Sequence, residues 1–182
     1  GSHRAFAWST DMQNWNYFQN NINNDTTCQA LFKDAFNWAK QGDASYQWDG
    51  NLWAPDVIWN PDYVNSDGSK GAWCMYMSIN GNSWNSSIVL LTSDDLDGDW
   101  TKRGTVVYSG FTESGVHDYK DTDFANVVGS DENAKKFISE HYKRGSYKPS
   151  YNDGKNVCSE TNWNNYYGAH AIDPCVTYDS EG

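Results

Sequence analysis

Four apolar runs lie between Asp56 and Gly110, separated by polar turns. "DVIWNPDYV" (56–64) reads as a strand, and the "NSDGSKG" that follows has the Asp-Gly chemistry of a hairpin turn. "AWCMYMSI" (72–79) alternates as a returning strand. After the loop "NGNSWNS" come "SIVLLTS" (87–93) and "RGTVVYSG" (103–110), a third and a fourth strand. The pattern predicts one four-stranded, mostly antiparallel unit. A further β-rich run, Ala171 to Tyr178, predicts another strand, the innermost of its own sheet, with 179–182 as the turn after it. An acid, Asp173, sits at the apolar start of that run.

Two segments have helical spacing instead. In "TTCQALFKDAFNWAKQG" (26–42), Leu31, Phe32, Ala35, Phe36 and Ala39 share a face, with a threonine cap before them and Gly42 as the stop. In "SDENAKKFISEHYKRG" (130–145), Ser130 is the cap and Asp131 and Glu132 fill the first turn. Ala134, Phe137, Ile138, His141 and Tyr142 form its stripe, and Lys143 and Arg144 suit the C-terminal dipole. This second helix falls in a long insertion between strands, 111–168, of the kind that shapes a cleft.

The chain also repeats itself. "HRAFAWSTDMQNW" (3–15) parallels "SIVLLTSDDLDGDW" (87–100): a strand, Ser-x-Asp, Met or Leu, a turn, then Trp. "WAPDVIW" (53–59) parallels "HAIDPCVTY" (170–178), each with Asp beside Pro at the head of a β-rich run. Repeated supersecondary units with recurring Trp and Asp predict a β-propeller. The chain then spans the end of one blade, one full blade and the opening of a third.

Charge and composition narrow the partners. The 182 residues carry a net charge of −11, which excludes a phosphate-neutralising surface and argues against nucleic acid and anionic membranes. No apolar run is long enough to span a bilayer. Aromatics reach 16%, with ten Trp and twelve Tyr, in an otherwise polar and acidic chain. That combination fits carbohydrate, whose C–H faces stack on flat rings and whose hydroxyls bond to Asp, Asn and Glu; an aromatic β-rich core uses the same residues. Cys28, Cys74, Cys158 and Cys175 lack metal-ligand spacing and, if oxidised, allow three pairings. Asn24 and Asn85 begin glycosylation sequons.

"LWAPDVIW", "SDDLDGDW" and above all "HAIDPCVTYD" resemble glycoside hydrolase family 43, in its arabinanase branch. The resemblance runs along nearly the whole chain, least securely in the insertion. It implies an all-β fold, a five-bladed β-propeller, with residues 1–182 forming part of the catalytic domain. It also implies inverting hydrolysis of arabinan by three acids, endo-acting on α-1,5-linked arabinofuranose. Exo-acting arabinofuranosidase or β-xylosidase activity, or a non-catalytic carbohydrate-binding propeller, are the alternatives. A secreted, periplasmic or cell-surface location goes with such a substrate. The remaining blades of the propeller would be the protein partner. No cofactor is required, although the family allows a structural calcium in the central channel.

By the same resemblance Asp173 matches the acid that orients the general acid and raises its pKa. A nearby carboxylate disfavours ionisation of the proton donor. Pro174 is expected to hold Asp173 in extended geometry. The family's base would precede Gly1 and its acid would follow Gly182, so the chain is expected to be inactive alone and to be a slice of a longer propeller. Trp53 and Asp56 read as a sugar platform and a hydroxyl acceptor, or equally as a packing Trp and a buried capping Asp. His170 stands where many relatives have Asn, and reads as a sugar contact or a satisfied core histidine. "HDYKDTDF" (117–124) reads as a solvated loop and "SDDLDGDW" as a turn between strands rather than a calcium loop.

Overall fold

The computed structural model describes residues 6–40, 44–81, 85–110, 119–130, 132–133, 136 and 171–179. Its β-structure is antiparallel throughout the described residues. A hairpin pairs β1 (Ala7–Trp8) with β2 (Asn16–Tyr17). A four-stranded sheet then runs in sequence order through β3 (Leu52–Val64), β4 (Lys70–Asn80), β5 (Ser86–Ser93) and β6 (Thr101–Ser109).

All four strands fall where the alternation places them, and turn chemistry explains the connections. Asp67 Oδ1 accepts from the N–H of Ser69, and Gly68 takes φ 86°, a conformation glycine reaches without a Cβ penalty. Hydrogen bonds from Ser69 hold the Asp67 carboxyl below its usual range. Strand β3 carries Pro55 and Pro61, which lack the N–H that a central strand needs; it accordingly lies at the sheet edge. Its register with β4 shifts between Trp53 and Asp56 and between Asn60 and Val64, the two places that hold the prolines.

The sheet buries both faces of β4, by period-2 alternation. Met75, Met77 and Ile79 point to one side and join Val89, Leu91, Leu52 and Trp100. Two helices cover this side, α1 (Asp25–Leu31) and α2 (Lys33–Ala39); they contribute Cys28, Ala35, Phe36 and Ala39, and Phe32 between them is buried in the same core. The Trp38 indole N–H donates to Ser109 O at 3.1 Å and its ring meets Tyr108 edge-on at 4.7 Å, tying α2 to the end of β6. Tyr46 O–H donates to Asn80 O at 2.5 Å, and burial raises this phenol above its ordinary pKa.

The helical segment departs from its sequence reading in two ways. It is divided at Phe32 (φ −102°, ψ 9°), whose ring is fully buried, although Phe36 N still reaches Phe32 O at 3.0 Å. The cap is Asn24 rather than a threonine: its side chain accepts from Thr27 N at 3.1 Å, while the Thr27 hydroxyl is turned back to Asn21 O at 2.6 Å. Asn24→Ala should therefore cost about 1 kcal/mol, read as a lower denaturation midpoint at unchanged slope. Gly42 and most of 130–145 lie outside the described residues, but Ser130 Oγ does accept from Asn133 N at 3.2 Å, as its capping role requires. A short helix missed from sequence, α3 (Phe124–Val128), precedes it and ends at Gly129 with φ 72°. Asp123, read as part of a solvated loop, fixes α3 to β6: its Oδ2 accepts from Tyr108 N at 2.6 Å, and its own N–H donates to Tyr108 O at 3.0 Å.

The internal repeat is structural. Trp8 pairs with Asn16 across the Ser9–Trp15 turn, and Thr92 pairs with Thr101 across the Ser93–Trp100 turn. Each turn is organised by its serine: Ser9 Oγ accepts from Met12 N at 2.9 Å, and Ser93 Oγ donates to Asp95 O at 2.8 Å. Hydrogen bonds from Asn14, Gln13 and Ser9 hold the Asp11 carboxyl well below the usual carboxylate range. The tryptophans differ. Trp100 is buried in the core, and Asn21 clamps its backbone, accepting from Trp100 N at 2.9 Å and donating to Trp100 O at 2.8 Å. Trp15 is 53% exposed.

Candidate functional site

The second face of β4, formed by Cys74, Tyr76, Ser78 and Asn80, is crossed by residues 171–179. Their order of contact follows the sheet from one edge to the other. Ala171 N donates to Ser109 Oγ of β6 at 2.9 Å and to Ser86 Oγ of β5 at 3.0 Å, and these two hydroxyls lie 2.7 Å apart. Asp173 N donates to Ser78 Oγ of β4 at 3.0 Å. Val176 N donates to Asp56 Oδ2 of β3 at 2.6 Å, and the Tyr178 hydroxyl reaches Trp59 O.

The strand expected at Ala171–Tyr178 is therefore not formed. These backbone donors go to side-chain oxygens on the face of the sheet, so no ladder with a neighbouring strand develops. Asp173 itself departs from extended geometry. Its φ is 52°, in the left-handed region where Asp is among the more tolerated side chains. It adopts this conformation although Pro174 follows it, with its N–H bonded to Ser78. Asp173 is exposed.

Trp53 and Asp56 sit at an irregular strand start. Ala54 has φ 36°, and the register shift beside it turns the backbone. Trp53 is 46% exposed, and its indole N–H is held by Gly50 O at 2.6 Å, which fixes the ring plane at the surface. Asp56 is half-buried, and one of its oxygens is committed to Val176. The structure thus brings Asp56 and the Asp173 segment together on one face. His170 lies outside the described residues.

Beneath this segment the face of the sheet is polar. Ser78 and Ser86 are fully buried, and Asn80 is nearly so. Burial raises the Tyr76 phenol and the Cys74 thiol above their ordinary values, the latter partly offset by the Arg103 charge; both stay protonated at neutral pH. Asn85 is fully buried, so its sequon is closed to glycosylation in the folded chain, whereas Asn24 is exposed. Among the described residues no group of three or more His, Cys, Asp or Glu could hold a metal ion, and no residue here is assigned to the calcium that the family resemblance allows. No described helix is long and apolar enough to cross a membrane.

The residues missed from sequence are the serines. Ser78, Ser86 and Ser109 each stand at a buried position next to an apolar stretch of a strand, in "MYMSIN", "SSIVLL" and "VVYSG". A buried hydroxyl in such a place needs a partner, and that was the available signal.

No family model matches the chain. Over 135 residues, 70% of its length, it is 30% identical to the extracellular endo-alpha-(1->5)-L-arabinanase 2 of Bacillus subtilis (strain 168). The matched stretch is 25% of that protein, so the chain spans about a quarter of the relative's length.

Proposed function

We propose that this chain is part of an inverting glycoside hydrolase of the family 43 type that cleaves α-L-arabinofuranosyl linkages in arabinan, with endo action favoured. One observation carries the reading. The two motifs on which the resemblance rests, Trp-Ala-Pro-Asp and Ala-Ile-Asp-Pro, are far apart in sequence, yet the segment carrying the second is joined to Asp56 of the first by the 2.6 Å hydrogen bond from Val176 N, two residues past Pro174. The name of the Bacillus subtilis relative supports the substrate, and its extracellular description supports secretion. In this reading the four-stranded sheet is one blade of a five-bladed propeller. Hairpin β1–β2, the counterpart of β5–β6, belongs to the blade before it, and 111–168 is the insertion between blades. Asp173 orients a general acid and keeps it protonated, and Trp53 offers a ring to the sugar. The base and the general acid have no match among these 182 residues, so the activity belongs to the intact protein.

The test is hydrolysis of debranched arabinan by the intact protein. The expected result is a rapid fall in viscosity with mixed oligosaccharides, and a newly formed reducing end of inverted configuration by NMR. Arabinose as the first product would establish exo action instead. Binding without hydrolysis would overturn the enzymatic reading in favour of a carbohydrate-binding propeller.

A further inference from the structure

We infer that Ser78 is a positioning residue for Asp173, an inference that rests on the hydrolase reading above. Ser78 is in β4, an inner strand of the sheet, paired with Trp53 of β3 on one side and Ile88 of β5 on the other, and it has no solvent exposure. A side chain so placed has little freedom, and its oxygen is a fixed point. That oxygen accepts the N–H of Asp173 at 3.0 Å.

The contact matters because of the backbone it holds. A non-glycine residue at positive φ is disfavoured and persists only where its surroundings determine it. The flanking contacts, Ala171 on Ser86 and Ser109, and Val176 on Asp56, keep the segment on the sheet. They do not set the peptide plane at Asp173. Ser78 does, and the peptide plane decides the direction in which the carboxylate leaves the chain. Without the Ser78 oxygen the segment stays docked while Asp173 is released to ordinary φ values, and its carboxylate moves relative to the acid it serves. Displacements of about 1 Å at a catalytic group can cost on the order of a hundredfold in rate.

The experiment is a double-mutant cycle in the intact protein on debranched arabinan. Ser78→Ala should lower kcat by about ten- to a hundredfold with KM little changed. It should also move the high-pH limb of the rate profile, where the general acid loses its proton, to lower pH. Adding Ser78→Ala to Asp173→Asn should cost no further activity, because Ser78 acts only through Asp173. A wild-type kcat and profile for Ser78→Ala, or losses that multiply in the double variant, would overturn the inference while leaving the role of Asp173 intact. Near-wild-type turnover by Asp173→Asn alone would overturn the role of Asp173 first. Should Ser78→Ala fail to fold, Ser78→Cys keeps the shape with a much weaker acceptor and reads the same cycle.

Discussion

Gly81→Ala should destabilise the protein by about 3 kcal/mol, a fall of roughly 6–12 °C in melting temperature for a domain of this size. Gly81 directly follows β4, where the strand end meets the last turn of α2. A Cβ built there would stand 2.0 Å from Ala39 O, 2.5 Å from Ala39 C and 2.6 Å from Ala39 Cα. All three are backbone atoms, so no side chain can turn aside. The helix end would have to lift from the sheet, straining the Trp38 bond to Ser109 O and the Asn85 Nδ2 bond to Trp38 O, 3.4 Å long. Gly104→Ala is the control. Nothing lies within 4 Å of a Cβ at that position in β6, so the change should be neutral or stabilising by less than about 1 kcal/mol. Equal melting temperatures for the two variants would mean that α2 is not seated against the strand end as described.

That contact was not visible in the sequence, and the reason is general to this fold. The strands were legible because each is bounded by turn chemistry that acts locally: Asp67-Gly68 before β4, and the serine-led turn from Ser93 to Trp100 before β6. The helical face was legible from the spacing of Phe32, Ala35, Phe36 and Ala39, all of which are buried. Its start was misplaced because Asn24 and the threonines after it are all acceptable caps, and only the contact of Thr27 with Asn21 separates them. The 171–179 segment was misread for a stronger reason. Its composition favours a strand, but its donors meet hydroxyls and a carboxylate brought from four different strands. Local propensity yields to such tertiary contacts. The candidate site divides in the same way. Asp173 and Asp56 were singled out by motif, while the serine row that seats the segment depends on which faces meet, and a single sequence does not carry that.

On the proposed hydrolase reading, Asp173→Asn should abolish most of the turnover of the intact protein on debranched arabinan, by about a hundredfold or more, while leaving its melting temperature nearly unchanged. The structure makes the variant a clean one. Asp173 is exposed, and the contact that seats it uses its backbone N–H on Ser78, which the substitution keeps. Asparagine also tolerates positive φ, so the 52° conformation survives. What is lost is the charge. In an inverting hydrolase the proton donor and the base stand roughly 6.5–9.5 Å apart, and the donor must hold its proton at the working pH. A neighbouring carboxylate raises the donor's pKa by making its ionised form a second negative charge in the same place. Removing that carboxylate lowers the donor's pKa, so the donor ionises sooner as pH rises. The high-pH limb of the rate profile should therefore move to lower pH, and the residual activity should be greatest in more acidic buffer than for the wild type. Rates near wild type with an unmoved profile, in a variant that melts normally, would reduce Asp173 to a turn residue seated on Ser78.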